Sequence, residues 1–263
     1  MRQQHILITK GQINKYVLLP GDPKRISAFK PFLKNTKIIS ENREFVLMNG
    51  VYNTVPISVL STGIGCPSTA IAVEEAINAG AQVLIRTGTC GGSWRGDIKA
   101  GSLIIPTASV RDEGTTKEYI LPEFPAVADF DVVSALRKAA RDNNIPSFVG
   151  INRTHDSFYG ASESIKKWGS YFSDPRFRTN ETPILSSEME ASALFVIASL
   201  RGVKAGAILA VDASPEPLKD RLKGTKLAVK TYDNETIRDK TVSTMIRTAL
   251  NAVTIMEATP VLT

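Results

Sequence analysis

Short apolar runs rich in β-branched residues alternate with stretches of helical periodicity along the whole chain, and that alternation is the sequence form of an α/β domain. No internal repeat and no low-complexity linker interrupts it, so residues 1–263 read as a single domain. Tyr16 to Pro20 is a short apolar run closed by Gly21-Asp22-Pro23, where Asp22 can cap a helix whose first position is Pro23. The same grammar recurs. Ile57 to Ser61 reads as a strand, followed by Gly63-Ile64-Gly65 and by Pro67-Ser68 opening a helix to about Ala79. Val83 to Thr87 predicts a third strand running into a small-residue loop, Gly88-Thr89-Cys90-Gly91-Gly92, whose amides can approach an anion closely. A strand over Ser102 to Pro106, helices over Asp131–Asn143 and about Glu190–Leu200, a buried strand over Ala205–Val211 and a final helix over about Asp233–Glu257 complete the reading. Residues 160 to 184 do not parse cleanly and predict loop with some helix.

Composition narrows the function classes. With 43% hydrophobic and 22% charged residues the chain is neither disordered, collagen-like nor a coiled coil. The balance of 32 basic to 26 acidic side chains favours anionic ligands, but it is spread along the chain, and nucleic-acid binding has only that charge behind it. Two cysteines, Cys66 and Cys90, supply neither a disulfide scaffold nor a four-cysteine zinc site, which points to a reducing compartment. The two histidines, His5 and His155, stand far apart with no cluster of ligands around them, so no metal is expected. The first residues lack a signal-peptide core, and no run approaches the ~18 apolar residues of a membrane span. A cytoplasmic protein without membrane or nucleic-acid partners is expected.

In open α/β sheets, ligands collect beyond the carboxyl ends of the strands. Four groups fall there: Gly21-Asp22 with Arg25, Thr62-Gly63, Arg86 with the loop after it, and Asp212 with Ser214. A guanidinium inside Val83-Leu84-Ile85-Arg86-Thr87-Gly88 is costly to bury unless it meets an anion or a structural ion-pair partner. With a glycine-rich loop and a second arginine nearby, a phosphate-sized anion is the preferred reading. Neither G-x-G-x-x-G nor a P-loop explains it. Glu188 and Glu190 lie two apart at a predicted helix start, so they should point apart and serve separate partners, or simply complement the helix dipole.

These residues also carry a resemblance. Leu19-Pro20-Gly21-Asp22-Pro23-Lys24-Arg25, Asn42-Arg43-Glu44-Phe45, Ser61-Thr62-Gly63-Ile64-Gly65, Ile85-Arg86-Thr87-Gly88-Thr89-Cys90-Gly91, Glu123-Phe124-Pro125-Ala126-Val127-Ala128-Asp129-Phe130 and Glu188-Met189-Glu190 occur in order over nearly the whole length. In this the chain resembles the nucleoside phosphorylase family that holds uridine phosphorylases and hexameric purine nucleoside phosphorylases, most closely the protozoal purine enzymes. The resemblance implies a three-layer α/β fold, a mixed central sheet flanked by helices. It implies phosphate binding by Gly21, Arg25, Arg86 and Thr89, with Arg43 from the neighbouring subunit of a dimer. It further implies His5, also from the neighbour, at the ribose 5′-hydroxyl, Glu190 on the ribose hydroxyls, Met189 against the sugar, Phe158 near the base and Glu188 beside the nucleoside. Taken alone, His5 is a terminal surface histidine and Arg43 a surface ion-pair partner.

Specificity rests on less. Bacterial uridine phosphorylases carry a Gln and an Arg two residues apart after the Phe-Tyr step, where this chain has Ser162 and Ser164. The segment Val211-Asp212-Ala213-Ser214-Pro215 instead resembles the one whose Asp protonates N7 in protozoal purine enzymes, although Asp212 could equally form an Asx-turn. The implied reaction is reversible phosphorolysis of ribonucleosides, purines favoured. Arg86, Glu190 and Asp212 are its catalytic groups, inorganic phosphate is the co-substrate, and no cofactor is implied. A uridine phosphorylase with an atypical pocket, a nucleosidase using water, and a catalytically degenerate nucleoside-binding protein are the rivals. The family's shared sites imply a homo-oligomer, commonly a hexamer.

Overall fold

The computed structural model describes residues 1–91, 97–159, 167–168, 183–212 and 235–259. From the N-terminus come β1 (Tyr16–Leu19), a 3-10 helix (Pro23–Phe32), β2 (Lys34–Asn42), β3 (Phe45–Tyr52), β4 (Val55–Leu60) and α1 (Cys66–Ala79). There follow β5 (Val83–Cys90), β6 (Leu103–Asp112), α2 (Thr115–Tyr119), β7 (Ala126–Val127), α3 (Phe130–Asp142) and β8 (Ser147–His155). The described chain closes with β9 (Ile184–Glu188), α4 (Ala191–Arg201), β10 (Lys204–Val211) and α5 (Glu235–Ala258).

Ten strands form one mixed sheet in the order β2-β3-β4-β1-β5-β10-β6-β8-β9, with β7 hydrogen-bonded to β6. The central strands β4, β1, β5 and β10 are mutually parallel, while β2-β3-β4 is an antiparallel meander and β10 meets β6 antiparallel. Alternation along each central strand sends side chains to two separate cores. Leu19, Leu60, Leu84 and Leu209 pack with Val73 and Ala76 of α1 and Leu194 and Ile197 of α4. Leu18, Val59, Ile85 and Ile208 pack with Phe29 of the 3-10 helix, Leu136 of α3 and Ile246 and Leu250 of α5. This is the three-layer arrangement expected from the resemblance.

Several local signals act as read. Asp22 accepts from the Lys24 amide at 2.8 Å and caps the helix opened by Pro23. Asp129, which the sequence reading does not single out as a cap, accepts from the amides of Asp131 and Val132 at the start of α3, and Gly202 ends α4 at φ 67, a left-handed conformation suited to glycine. The helix after Pro23 is nevertheless 3-10, and Pro31 inside it offers no N–H for its last turn.

The third strand runs further than expected. Gly88, Thr89 and Cys90 pair with Leu209, Ala210 and Val211 of β10, so they continue β5 rather than opening a loop, and Gly92 lies outside the described residues. Five further strands, β2, β3, β7, β8 and β9, were not anticipated, β3 even though it opens on the buried apolar run Phe45, Val46, Leu47 and Met48. β2 is mostly exposed along Lys34–Asn42 and shows no apolar alternation. The end of β8 buries Asn152, Arg153, Thr154 and His155, a polar set that does not announce a strand, and most of β9 falls beyond the unparsed 160–184 segment. The described part of that segment is residues 167–168 and 183–184, so the loop expectation for the rest falls outside the described residues.

Candidate active site

The site forms where β1, β4, β5, β9 and β10 end. Arg86 enters it from β5 with its side chain on the α4 face, and only 5% of the residue remains exposed. Its Nε donates to Glu188 Oε2 at 2.8 Å, and Nη2 forms an ion pair with Glu190 Oε2. The remaining amino nitrogen, Nη1, is buried without a hydrogen-bond partner among the described residues. A Cβ built on Gly21 would lie 3.9 Å from that Nη1 and 3.2 Å from the Gly63 carbonyl oxygen. The unsatisfied donor therefore lies beneath the β1 turn, which is tied to the loop after β4 by Thr62 N to Pro20 O and Gly63 N to Gly21 O.

The two glutamates, which the spacing sends to separate partners, have Arg86 in common. β9 ends at Glu188 and α4 begins at Ala191, so the chain changes direction within two residues and strand alternation no longer governs them. Both carboxylates meet Arg86. Glu188 Oε2 also accepts from the amides of Glu190 and Ala191, each at 2.9 Å, which is the helix-start role read as the alternative. Glu188 Oε1 accepts from Asn152 Nδ2 at 2.8 Å and Thr154 Oγ1 at 2.6 Å. Five protein donors, the Arg86 Nε among them, thus converge on Glu188, which braces Arg86 against the start of α4. Glu190 takes the Gly65 amide at 2.7 Å and the Met189 amide at 3.2 Å.

Burial and neighbouring charges act against each other at Arg86, Glu190 and Asp212. Burial favours a neutral Arg86, but the carboxylates of Glu190 and Glu188 outweigh it and hold the guanidinium more firmly protonated than usual. Burial raises the Glu190 carboxyl against the pull of Arg86. Arg25 is shifted the other way, lowered by its own burial and then by the nearby charges of Arg86 and Arg238, with Asp22 and Asp212 compensating in part. Three arginines thus crowd one volume, an arrangement suited to an anion. At the end of β10, burial pushes Asp212 up to about 6 although Arg238 and Arg25 oppose it, and a hydrogen bond with the Thr89 side chain also lowers it.

Arg25, Arg86, Thr89, Asp212, Met189 and Glu190 are therefore gathered around the same strand ends. His5 and Arg43 form a second group. His5 Nδ1 lies 2.7 Å from Glu75 Oε1, and Arg43 is exposed in the two-residue turn between β2 and β3 with φ 54. Among the described residues, no hydrogen bond or ion pair joins either one to the Arg86 cluster. Phe158, just beyond β8, is more than half exposed and meets Tyr159 edge-to-face. Ser162, Ser164 and Ser214 lie outside the described residues. Sequence reasoning missed Glu75, Arg238, Asn152 and Thr154. A glutamate inside the apolar α1 pattern was the available signal for Glu75, whereas Arg238 lies 26 positions beyond Asp212 with nothing between them to link the two.

Comparison with known proteins places this geometry in context. A guanosine phosphorylase of Halorubrum lacusprofundi is 35% identical over 258 residues, covering 96% of this chain and 98% of that protein. A uridine phosphorylase of Treponema pallidum is 42% identical over 218 residues, covering 80% and 81%. The crystal structure of a purine nucleoside phosphorylase of Toxoplasma gondii in complex with immucillin-H superposes with a TM-score of 0.81 at 30% identity, covering 98% of this chain and 97% of that one. The family model described as the phosphorylase superfamily matches residues 15–247, and this chain is a member of that superfamily.

Proposed function

We propose that this protein catalyses the reversible phosphorolysis of ribonucleosides, with purine nucleosides such as inosine and guanosine favoured, releasing free base and ribose 1-phosphate. The observation that carries the reading is the buried Arg86 guanidinium, committed to two carboxylates and left with one donor beneath Gly21, beside Arg25.

Phosphate attacks the anomeric carbon while the bond to the base breaks and positive charge grows on the sugar. Bound phosphate is nucleophile and counter-charge together, held by Gly21, Arg25, Arg86 and Thr89, with Arg43 reaching in from the adjoining subunit. Glu190 orients the ribose hydroxyls, Met189 packs on the sugar, Phe158 lies along the base, and His5 of the adjoining subunit meets the 5′-hydroxyl. Asp212 gives its proton to the departing base; burial that raises it to about 6 keeps it partly protonated near neutrality. Glu188 holds Arg86 in place. The reaction needs no cofactor, the subunits share sites in a homo-oligomer, and the setting is cytoplasmic, in keeping with two buried free cysteines. Among the described residues no helix is long and apolar enough to cross a membrane.

A second reading, uridine as preferred substrate, has the 42% identity to the Treponema uridine phosphorylase in its favour. The test is parallel turnover of inosine, guanosine, adenosine and uridine with and without phosphate. Phosphate-dependent release of purines is expected. Preferential uridine cleavage would replace the purine preference, and release without phosphate would replace phosphorolysis by hydrolysis.

A further inference from the structure

α1 carries adjacent glutamates with different fates. Glu74 pairs with Arg201 at 2.8 and 2.9 Å on the outer side, whereas Glu75 is turned to the buried side and is 9% exposed. A carboxylate there is costly unless its oxygens are satisfied. Glu75 meets that condition with the N-terminal segment: Oε1 lies 2.7 Å from His5 Nδ1 and 3.1 Å from the His5 amide, and Oε2 lies 3.0 and 2.8 Å from the amides of His5 and Ile6. Burial alone would raise the carboxyl, but the Ile6 amide and the His5 ring and amide bring it below its ordinary value, so it is ionised at neutral pH.

An ionised acceptor at Nδ1 fixes the neutral ring with its proton on Nδ1, leaving Nε2 as a bare acceptor. The ring is further packed edge-on against Phe45. The His5 carbonyl in turn accepts from Asn42 Nδ2 at 2.8 Å, and Asn42 immediately precedes Arg43. His5 and Arg43 thus belong to one braced arm, anchored by α1 at one end and the β2–β3 turn at the other.

We propose that Glu75 is a positioning residue for substrate recognition, holding the His5 ring so that Nε2 accepts a hydrogen bond from the ribose 5′-hydroxyl. The proposal rests on the role given to His5 under the proposed function. It makes the 5′-position a point of selection: a primary hydroxyl supplies the donor, and a 5′-deoxy sugar leaves Nε2 unpaired.

The experiment measures kcat/KM for inosine and for 5′-deoxyinosine, or for the uridine pair if uridine is the better substrate, in wild type, Glu75→Gln, His5→Ala and the double variant. Glu75→Gln keeps the volume but turns one acceptor into a donor facing backbone amides. The ratio of inosine to 5′-deoxyinosine is expected to fall roughly tenfold in Glu75→Gln, through KM for inosine, with KM for phosphate held. His5→Ala should lower it as far, and the double variant no further. Because the chain has two histidines, 15N spectra of the wild-type protein read the His5 tautomer without any variant, and Nδ1–H is expected. An equal loss on both substrates, or an Nε2–H ring in wild type, overturns the proposal. A ratio lowered by His5→Ala but not by Glu75→Gln removes Glu75 alone; a ratio that His5→Ala leaves unaltered removes the His5 reading and the proposal with it.

Discussion

Arg86 and Glu188 hold each other through Nε and Oε2 at 2.8 Å, with both side chains almost wholly removed from water. Replacing Arg86 by Leu leaves Glu188 and Glu190 buried without their counter-charge, and stability measured by urea unfolding at pH 7 is expected to drop by about 3–5 kcal/mol. The deficit should shrink as pH is lowered and the carboxyls take up protons. Arg86→Lys keeps a charge but not the fork, and kcat/KM for phosphate is expected to fall by roughly 10²-fold or more.

Asp212 ties activity to pH. Its carboxyl is raised from 3.8 to about 6, so between those values the native state binds more protons than the unfolded chain, and this group's contribution to stability falls as pH rises through that window. The protonated form donates to the leaving base, so a limb of decreasing kcat above about pH 6 is expected on inosine, absent in Asp212→Asn. Asp212→Ala should lose roughly 10²-fold on purine nucleosides. An unchanged rate removes Asp212 from the mechanism.

Gly88 belongs to the small-residue stretch that predicts an anion-binding loop, yet it serves the arginine. A Cβ there would lie 2.7 Å from both Cζ and Nη2 of Arg86, a guanidinium already pinned by two carboxylates. Gly88→Ala is expected to retain the fold while raising KM for phosphate about tenfold, as Arg86 is pushed off its position. Phosphate titration of initial rates, with circular dichroism as control, measures it.

Gly206 plays a purely packing part. A Cβ on this β10 residue would come 2.3 Å from Val132 Cγ1 of α3, inside the second core. Gly206→Ala should cost about 1–3 kcal/mol in denaturant unfolding, with kcat of the folded fraction unaffected. Gly206→Ala combined with Val132→Ala should recover part of the loss.

The central strands and the helices after them were legible because their apolar runs end in turn and capping residues whose chemistry is local: Asp22, Pro23 and Gly202 each do what their side chains or backbones dictate. The polar outer strands were not, since Lys34–Asn42 buries little and Asn152, Arg153 and Thr154 are buried to satisfy other polar groups rather than to fill a core. In the site, the residue types at the strand ends were readable one by one. The convergence of Glu188 and Glu190 on Arg86 was not, because it depends on a change of chain direction that no spacing rule expresses. Arg238 acts across a span of sequence with no local mark.

The pairing of β5 with β10 runs in unbroken parallel register from Val83 opposite Lys204 to Cys90 opposite Val211. Arg86, at the anion end, and Asp212, one residue past the ladder, are therefore separated by a distance set by backbone hydrogen bonds. Such a ladder is a stiff ruler: side-chain substitutions around it can alter what fits at either end without changing the interval between them. In the proposed reaction that interval spans from phosphate to base, across a ribose common to purine and pyrimidine nucleosides. A scaffold of this kind holds the interval fixed whichever base the surrounding side chains admit, and relatives similar to this chain carry guanosine or uridine in their names.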